Sequence, residues 1–189
     1  MRELGRRAHE RGVDTFIIAD THWLNSSGFH LNAKAVHAGS YASHELPHFI
    51  RDLPYEYPGD PSVAGLIGEE IRAGGLKSLV HDIADLGLEY GTLVPMYLMN
   101  DTSPKIRVVP IGFNMYSTIE ENLIVGAAIA RAVARSDRRV GFLASGSLSH
   151  AFPTNALTDK YLNRISSEFH AHMDHLVLDM QRSDRKSVV

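Results

Sequence analysis

The chain has 189 residues, 44% of them apolar and 22% charged, with a formal net charge of −3 at pH 7. That composition is typical of globular proteins and supports one domain with a substantial core. Scattered Lys and Arg exclude the basic footprint of a nucleic-acid or anionic-membrane binder, and the absence of Cys excludes disulfides, thiolate metal sites and cysteine nucleophiles.

Along the chain, helical and extended patterns alternate. Arg2 to Arg11 reads as a helix closed by Gly12, and Val13 to Ala19 as a buried strand. Phe29 to Val36 alternates apolar and polar residues and predicts a further strand, whereas Tyr41 to Gly59, rich in Pro, His and aromatics, predicts a structured loop. Asp60-Pro61 opens a helix running to about Ala73, with Pro in its first turn. Leu79 to His81 predicts a short strand, Leu93 to Met99 a helix, and Ile106 to Phe113 a strand whose Pro110 is awkward for a central position. Ser117-Thr-Ile-Glu120 predicts a capping box at the head of a helix reaching Ser136, followed by a strand from Val140. The last helix is expected over roughly Asp159 to Met180. Strands separated by helices imply an α/β fold, a three-layer α/β/α arrangement with a mixed central sheet that is incomplete at its ends.

Two of the apolar strands run into histidine-bearing segments. Phe16-Ile-Ile-Ala-Asp20 leads into Thr21-His22-Trp23, and Val140-Gly-Phe-Leu-Ala144 into Ser145-Gly-Ser-Leu-Ser-His150. Ligands of open α/β sheets gather at the carboxyl ends of strands, so both imidazoles are candidates for one site, one binding a metal and the other moving protons. The bland alternatives are a hydrogen-bonded loop histidine at 22 and, at 150, one satisfied by Ser145, Ser147 and Ser149. Gly-x-Ser-x-Gly is absent, which removes a serine-nucleophile reading of that segment. His170, His172 and His175 fit an exposed helix face.

His44-Glu45-Leu46-Pro47-His48 matches the H-E-x-x-H pattern of zinc peptidases, which needs both histidines on one helical face. Pro47 opposes it, because its ring clashes with the preceding turn at a cost of about 3 kcal/mol in a helix interior. A loop over the site is the better reading, with His48 or Arg51 meeting an acidic group on a substrate; for Arg51 a surface ion pair is an equal alternative.

Four segments together resemble the type III extradiol ring-cleavage dioxygenases, the protocatechuate 4,5-dioxygenase beta-subunit-like family, and within it the branch that cleaves homoprotocatechuate. They are Gly12-Val-Asp-Thr-Phe-Ile-Ile-Ala-Asp-Thr-His-Trp23, Ser43-His-Glu-Leu-Pro-His-Phe-Ile-Arg-Asp52, Leu88-Glu-Tyr-Gly-Thr-Leu-Val-Pro-Met96 and Leu143-Ala-Ser-Gly-Ser-Leu-Ser-His150. The resemblance implies a non-haem Fe(II), with Mn or Mg not excluded by oxygen and nitrogen ligands, bound by two histidines and a glutamate. It assigns His22 as one metal histidine and His150 as the acid/base, a task suited to an imidazole. The other histidine, in a His-x-Pro motif, and the glutamate have no counterpart here. Many relatives carry a second catalytic histidine where this chain reads Glu89-Tyr90-Gly91, which leaves Tyr90 as a pocket residue. The implied partners are a catecholic small molecule, such as 3,4-dihydroxyphenylacetate, and dioxygen, in a parent compatible with a homo-oligomer.

Both ends bear on this reading. No strand and loop precede the first helix, and Asp184 to Val189 matches one reading frame of a common sequencing-library adapter, which translates to those six residues and then stops. The expectation is a partial catalytic domain over residues 1–183 with a non-native tail, inactive by itself. A metal-free homologue serving as a binding or partner subunit is the alternative from another class. No apolar run approaches a membrane span and Met1 to Arg7 is too charged for a signal peptide, so a cytoplasmic location is expected.

Overall fold

The computed structural model of the chain describes residues 1–44, 47, 50–150, 156, 160, 164, 165 and 167–183. The chain divides into two compact units, Met1–Gly146 and Ser147–Val189. In the first, the elements are α1 (Arg2–Glu10), β1 (Thr15–Asn25), β2 (Phe29–Asn32), β3 (Val36–Tyr41), β4 (Leu53–Pro58), α2 (Pro61–Ala73), β5 (Ser78–His81), α3 (Tyr90–Met99), β6 (Arg107–Asn114), α4 (Ile119–Ala134) and β7 (Val140–Ser145). The second carries α5 (Glu168–Ser183), none of whose side chains is buried.

The central sheet of the first unit has the order β5-β2-β6-β1-β7. β6 and β7 both run parallel to β1, β5 runs parallel to β2, and β2 meets β6 antiparallel, so the sheet is mixed as expected. Its two faces follow from strand alternation. Ile17, Leu31, Val109 and Ile111 pack with Val63, Ile67 and Ile71 of α2 and with Val125, Ala128 and Ala132 of α4. On the opposite face, Phe16, Ile18 and Val108 pack with Leu93, Met96 and Met99 of α3, and Ala8 of α1 joins them. Helices therefore cover both faces, the three-layer arrangement. Side chains such as Ile17, Ile18 and Val109 are fully buried, each contributing about 1.5–3 kcal/mol.

Several boundaries differ from the sequence expectations. The single strand over Phe29 to Val36 is two strands, because the Asn32 Oδ1 accepts the Lys34 N–H at 3.4 Å and turns the chain out of the sheet. The expected loop from Tyr41 to Gly59 contains β4, which pairs antiparallel with β3 in a separate two-stranded sheet. The capping box lies one residue later, at Thr118 and Glu121. Ser117 is occupied elsewhere, its hydroxyl donating to the Asn114 carbonyl at 2.8 Å.

Pro110 occupies a strand at the middle of the sheet. Facing β1 it stands in register with Ile18; on the other side β6 bridges Gly59 at Val108 and pairs with β2 only from Ile111. Pro110 thus falls in the gap between two partners, where a missing N–H removes no ladder bond. The turn into α2 is fixed by Asp60, 3% exposed, whose carboxylate accepts the Val63 N–H at 3.1 Å and Arg138 Nε at 2.6 Å.

Candidate active site

The carboxyl end of β1 builds the site. β1 does not stop at Ala19 but reaches Asn25, and its pairing with β6 jumps from Asp20–Gly112 to Leu24–Phe113. Thr21, His22 and Trp23 are therefore extruded as a bulge, a device that re-aims side chains at strand ends. Asp20 is the reason. Its carboxylate, 1% exposed, accepts the backbone N–H groups of His22 at 2.9 Å and Trp23 at 3.2 Å through Oδ1, and the Thr92 hydroxyl at 2.6 Å through Oδ2. Two glycines make room. A Cβ at Gly91 would run into the Asp20 carboxylate, and one at Gly112 would press on Trp23 and Asn25.

The first turn of α3 closes the corner. The Tyr90 hydroxyl lies 2.7 Å from His22 Nε2, and the two rings are 3.8 Å apart with a 35° tilt. Glu89, at the head of the same helix, accepts the Tyr41 hydroxyl at 3.3 Å. Burial pushes its pKa above the usual carboxylate value; the Tyr41 hydrogen bond opposes the rise, Asp20 adds to it, and His22 and His44 oppose it. A cavity of about 400 Å³ adjoins, lined by Trp23, Tyr41, His44, Tyr55, Leu88 and Glu89. Flat aromatic side chains alternate in its wall with polar groups, Ser40, His44 and Glu89 among them.

The structure brings His22 and Tyr90 together, across 68 positions of sequence. β7 ends at Ser145, in register with Asp20 of β1. His150 belongs to the second unit and is exposed. Of the serines expected to orient it, Ser149 directs its hydroxyl to Asp174 Oδ2 of α5 at 2.8 Å. Arg51 is exposed, and its Nε donates to the Pro47 carbonyl at 2.9 Å. His48 lies outside the described residues, as do Glu45 and Leu46; His44 and Pro47 are in a bend and a turn, not a helix. Asp20, Thr92, Glu89 and Tyr41 were not assigned roles from sequence. An Asp ending an apolar strand two residues before a histidine is the signal that pointed to Asp20, since Asp caps local N–H groups there.

Over residues 1–189 the chain matches the family described as the catalytic LigB subunit of aromatic ring-opening dioxygenase. The chain belongs to this family. As a LigB-family chain it is 40% identical over 182 residues to the 3,4-dihydroxyphenylacetate 2,3-dioxygenase of Escherichia coli, covering 96% of this chain and 66% of that protein. It is 27% identical over 144 residues to the 2-aminophenol 1,6-dioxygenase beta subunit of a Pseudomonas species, covering 72% and 47%. The chain thus spans about half to two-thirds of the length of these curated relatives. Extradiol enzymes of the LigB family are metal-dependent. Among the described residues no group of three or more His, Asp or Glu is arranged to hold a metal ion, so these residues by themselves do not complete such a site. Also among them, no helix is long and apolar enough to cross a membrane.

Proposed function

We propose that this LigB-family chain is part of an extradiol dioxygenase that cleaves a catechol, 3,4-dihydroxyphenylacetate, with dioxygen to give a hydroxymuconic semialdehyde. The observation that carries this reading is 40% identity across nearly the whole chain to an enzyme named for that substrate. His22 supplies one imidazole to an Fe(II) ion. The remaining ligands, a histidine in a His-x-Pro motif and a glutamate, come from segments this chain does not contain, and residues 1–189 alone are inactive. Such an ion would supply the Lewis acidity through which the catechol and dioxygen react.

The residues of this chain perform the rest. The bulge held by Asp20 fixes where His22 stands, and Tyr90 braces its ring. His150 takes the proton of a catechol hydroxyl and returns it later, which an imidazole does in both directions near neutral pH. The aromatic ring occupies the cavity beside Trp23 and Tyr41. The substrate carboxylate is met by His48 or Arg51. The protein acts in the cytoplasm, in a parent compatible with a homo-oligomer.

The test is oxygen uptake and yellow semialdehyde formation by the full reading frame containing this chain, expressed anaerobically with Fe(II). Parent, His22→Ala and His150→Phe are compared. Turnover is expected to vanish in both variants and iron only in the first. A parent inert towards a panel of catechols with Fe(II) supplied overturns the reading, and one that also takes up no iron leaves the metal-free partner subunit in its place.

A further inference from the structure

A second histidine assembly lies on the β2–β5 ladder. His30 is in register with Leu79 and His81 with Asn32, so the two histidines are diagonal neighbours on one face. Their ring centroids are 4.9 Å apart, and His81 Nε2 lies 3.0 Å from His30 Nδ1. The other nitrogen of His30, Nε2, lies 3.0 Å from the Ser27 carbonyl oxygen.

These distances fix the protons. A carbonyl oxygen only accepts, so His30 Nε2 carries hydrogen and Nδ1 of the neutral ring is a lone pair. His81 Nε2–H then donates into that lone pair. Both rings are half-buried, and burial, together with the charge His30 would carry, holds the His81 pKa below its ordinary value. The two imidazoles are thus held nitrogen to nitrogen.

Neutral imidazole is the usual protein ligand for first-row transition metals. If the His81 proton moves from Nε2 to Nδ1, two lone pairs face one another across 3.0 Å. Ligands about 2.1 Å from a metal and at right angles are about 3.0 Å apart, whereas a tetrahedral pair is about 3.4 Å apart. An ion enters when the rings turn so that the two lone pairs converge on it instead of facing one another, and nickel and above all copper are the divalent first-row ions that such nitrogen donors hold most strongly. The bond from His30 Nε2–H to the Ser27 carbonyl is the outer contact that orients a metal-bound imidazole.

We propose that His30 and His81 form a two-histidine site for a divalent copper or nickel ion. No third His, Asp or Glu joins them among the described residues. Water fills the remaining positions, and a chelator strips the ion. Occupancy ties the end of β5 to β2 beside Trp23, whose ring centroid is 6.2 Å from each imidazole.

Trp23 is the only tryptophan of the chain, so it reports the site directly. Copper(II) chloride is titrated into this chain while Trp23 emission is followed, with electron paramagnetic resonance on the same samples. Most of the emission is expected to be lost by one equivalent and restored by EDTA, with a tetragonal copper signal coupled to two nitrogens. His30→Ala and His81→Gln each shift the quenching midpoint at least tenfold, while His175→Ala, on α5, leaves it unchanged. His81→Gln keeps an amide donor towards His30 Nδ1, and its far-UV circular dichroism and melting should match the parent. Quenching that survives in folded His81→Gln, or that disappears in His175→Ala, overturns the proposal and places the copper on other histidines.

Discussion

Two histidines lie near the carboxyl ends of neighbouring strands in the sequence, and their surroundings differ. His22 is carried on a bulge whose backbone is gripped by Asp20, 1% exposed and bonded to Thr92 across 72 positions of sequence. His150 is exposed and follows a segment attached to α5 through Ser149 and Asp174, both only partly buried. Identical side-chain chemistry thus stands on a fixed support in one place and a solvated one in the other. A group that must hold a metal needs the first; a group that must exchange protons with a substrate tolerates the second.

The largest expected break in this contrast is Asp20→Ala. It strips the acceptor from two backbone N–H groups and the Thr92 hydroxyl in a nearly sealed position, and should cost about 3 kcal/mol or more in urea unfolding. A loss under about 1 kcal/mol would show that the bulge holds without its carboxylate.

A buried histidine sharpens the contrast through pH. His37 is 1% exposed; its Nε2–H donates to the Val108 carbonyl at 3.0 Å, and its Nδ1 has no hydrogen-bond partner. Burial lowers its pKa to about 4 from the ordinary 6.5, against the opposing pull of the Val108 carbonyl. The unfolded chain therefore takes up a proton that the folded chain refuses. The stability is complete above about pH 6.5 and is lost as pH falls towards 4, by about 2 kcal/mol between pH 7 and pH 5. Urea midpoints across that range should shift in the parent and much less in His37→Gln, which retains a donor for Val108.

Thr92→Val keeps the shape of the corner and removes one hydroxyl, so a loss of about 1 kcal/mol is expected. Ser149→Ala, at the more solvated support, should change unfolding by no more than about 0.5 kcal/mol. If the two losses were equal, the support of His150 would be as firm as that of His22.

Much of the fold was legible because its elements carry local signals. Asp60-Pro61 marks the start of α2, and the apolar run from Phe16 marks the β1 core; the alternation of Ile17 and Ile18 between opposite faces follows from strand geometry alone. The capping box was one residue off because Ser117 and Thr118 both precede a Glu by three, and the choice rests on the Ser117 bond to Asn114. β4 was missed because its pairing with β3 is non-local, and Leu53-Pro-Tyr-Glu-Tyr-Pro58 carries Pro at two positions.

The sequence by itself determined the class of fold, the two strands that end in histidine segments and the family to which the chain belongs, because apolar periodicity and short motifs are written in consecutive residues. Only the tertiary structure decided that Thr21 to Trp23 bulge from a continuing strand, that Asp20 and Thr92 join, that Tyr90 stacks on His22 and that His30 meets His81. Each of these contacts joins positions that become neighbours only once the sheet is paired and α3 is packed on it.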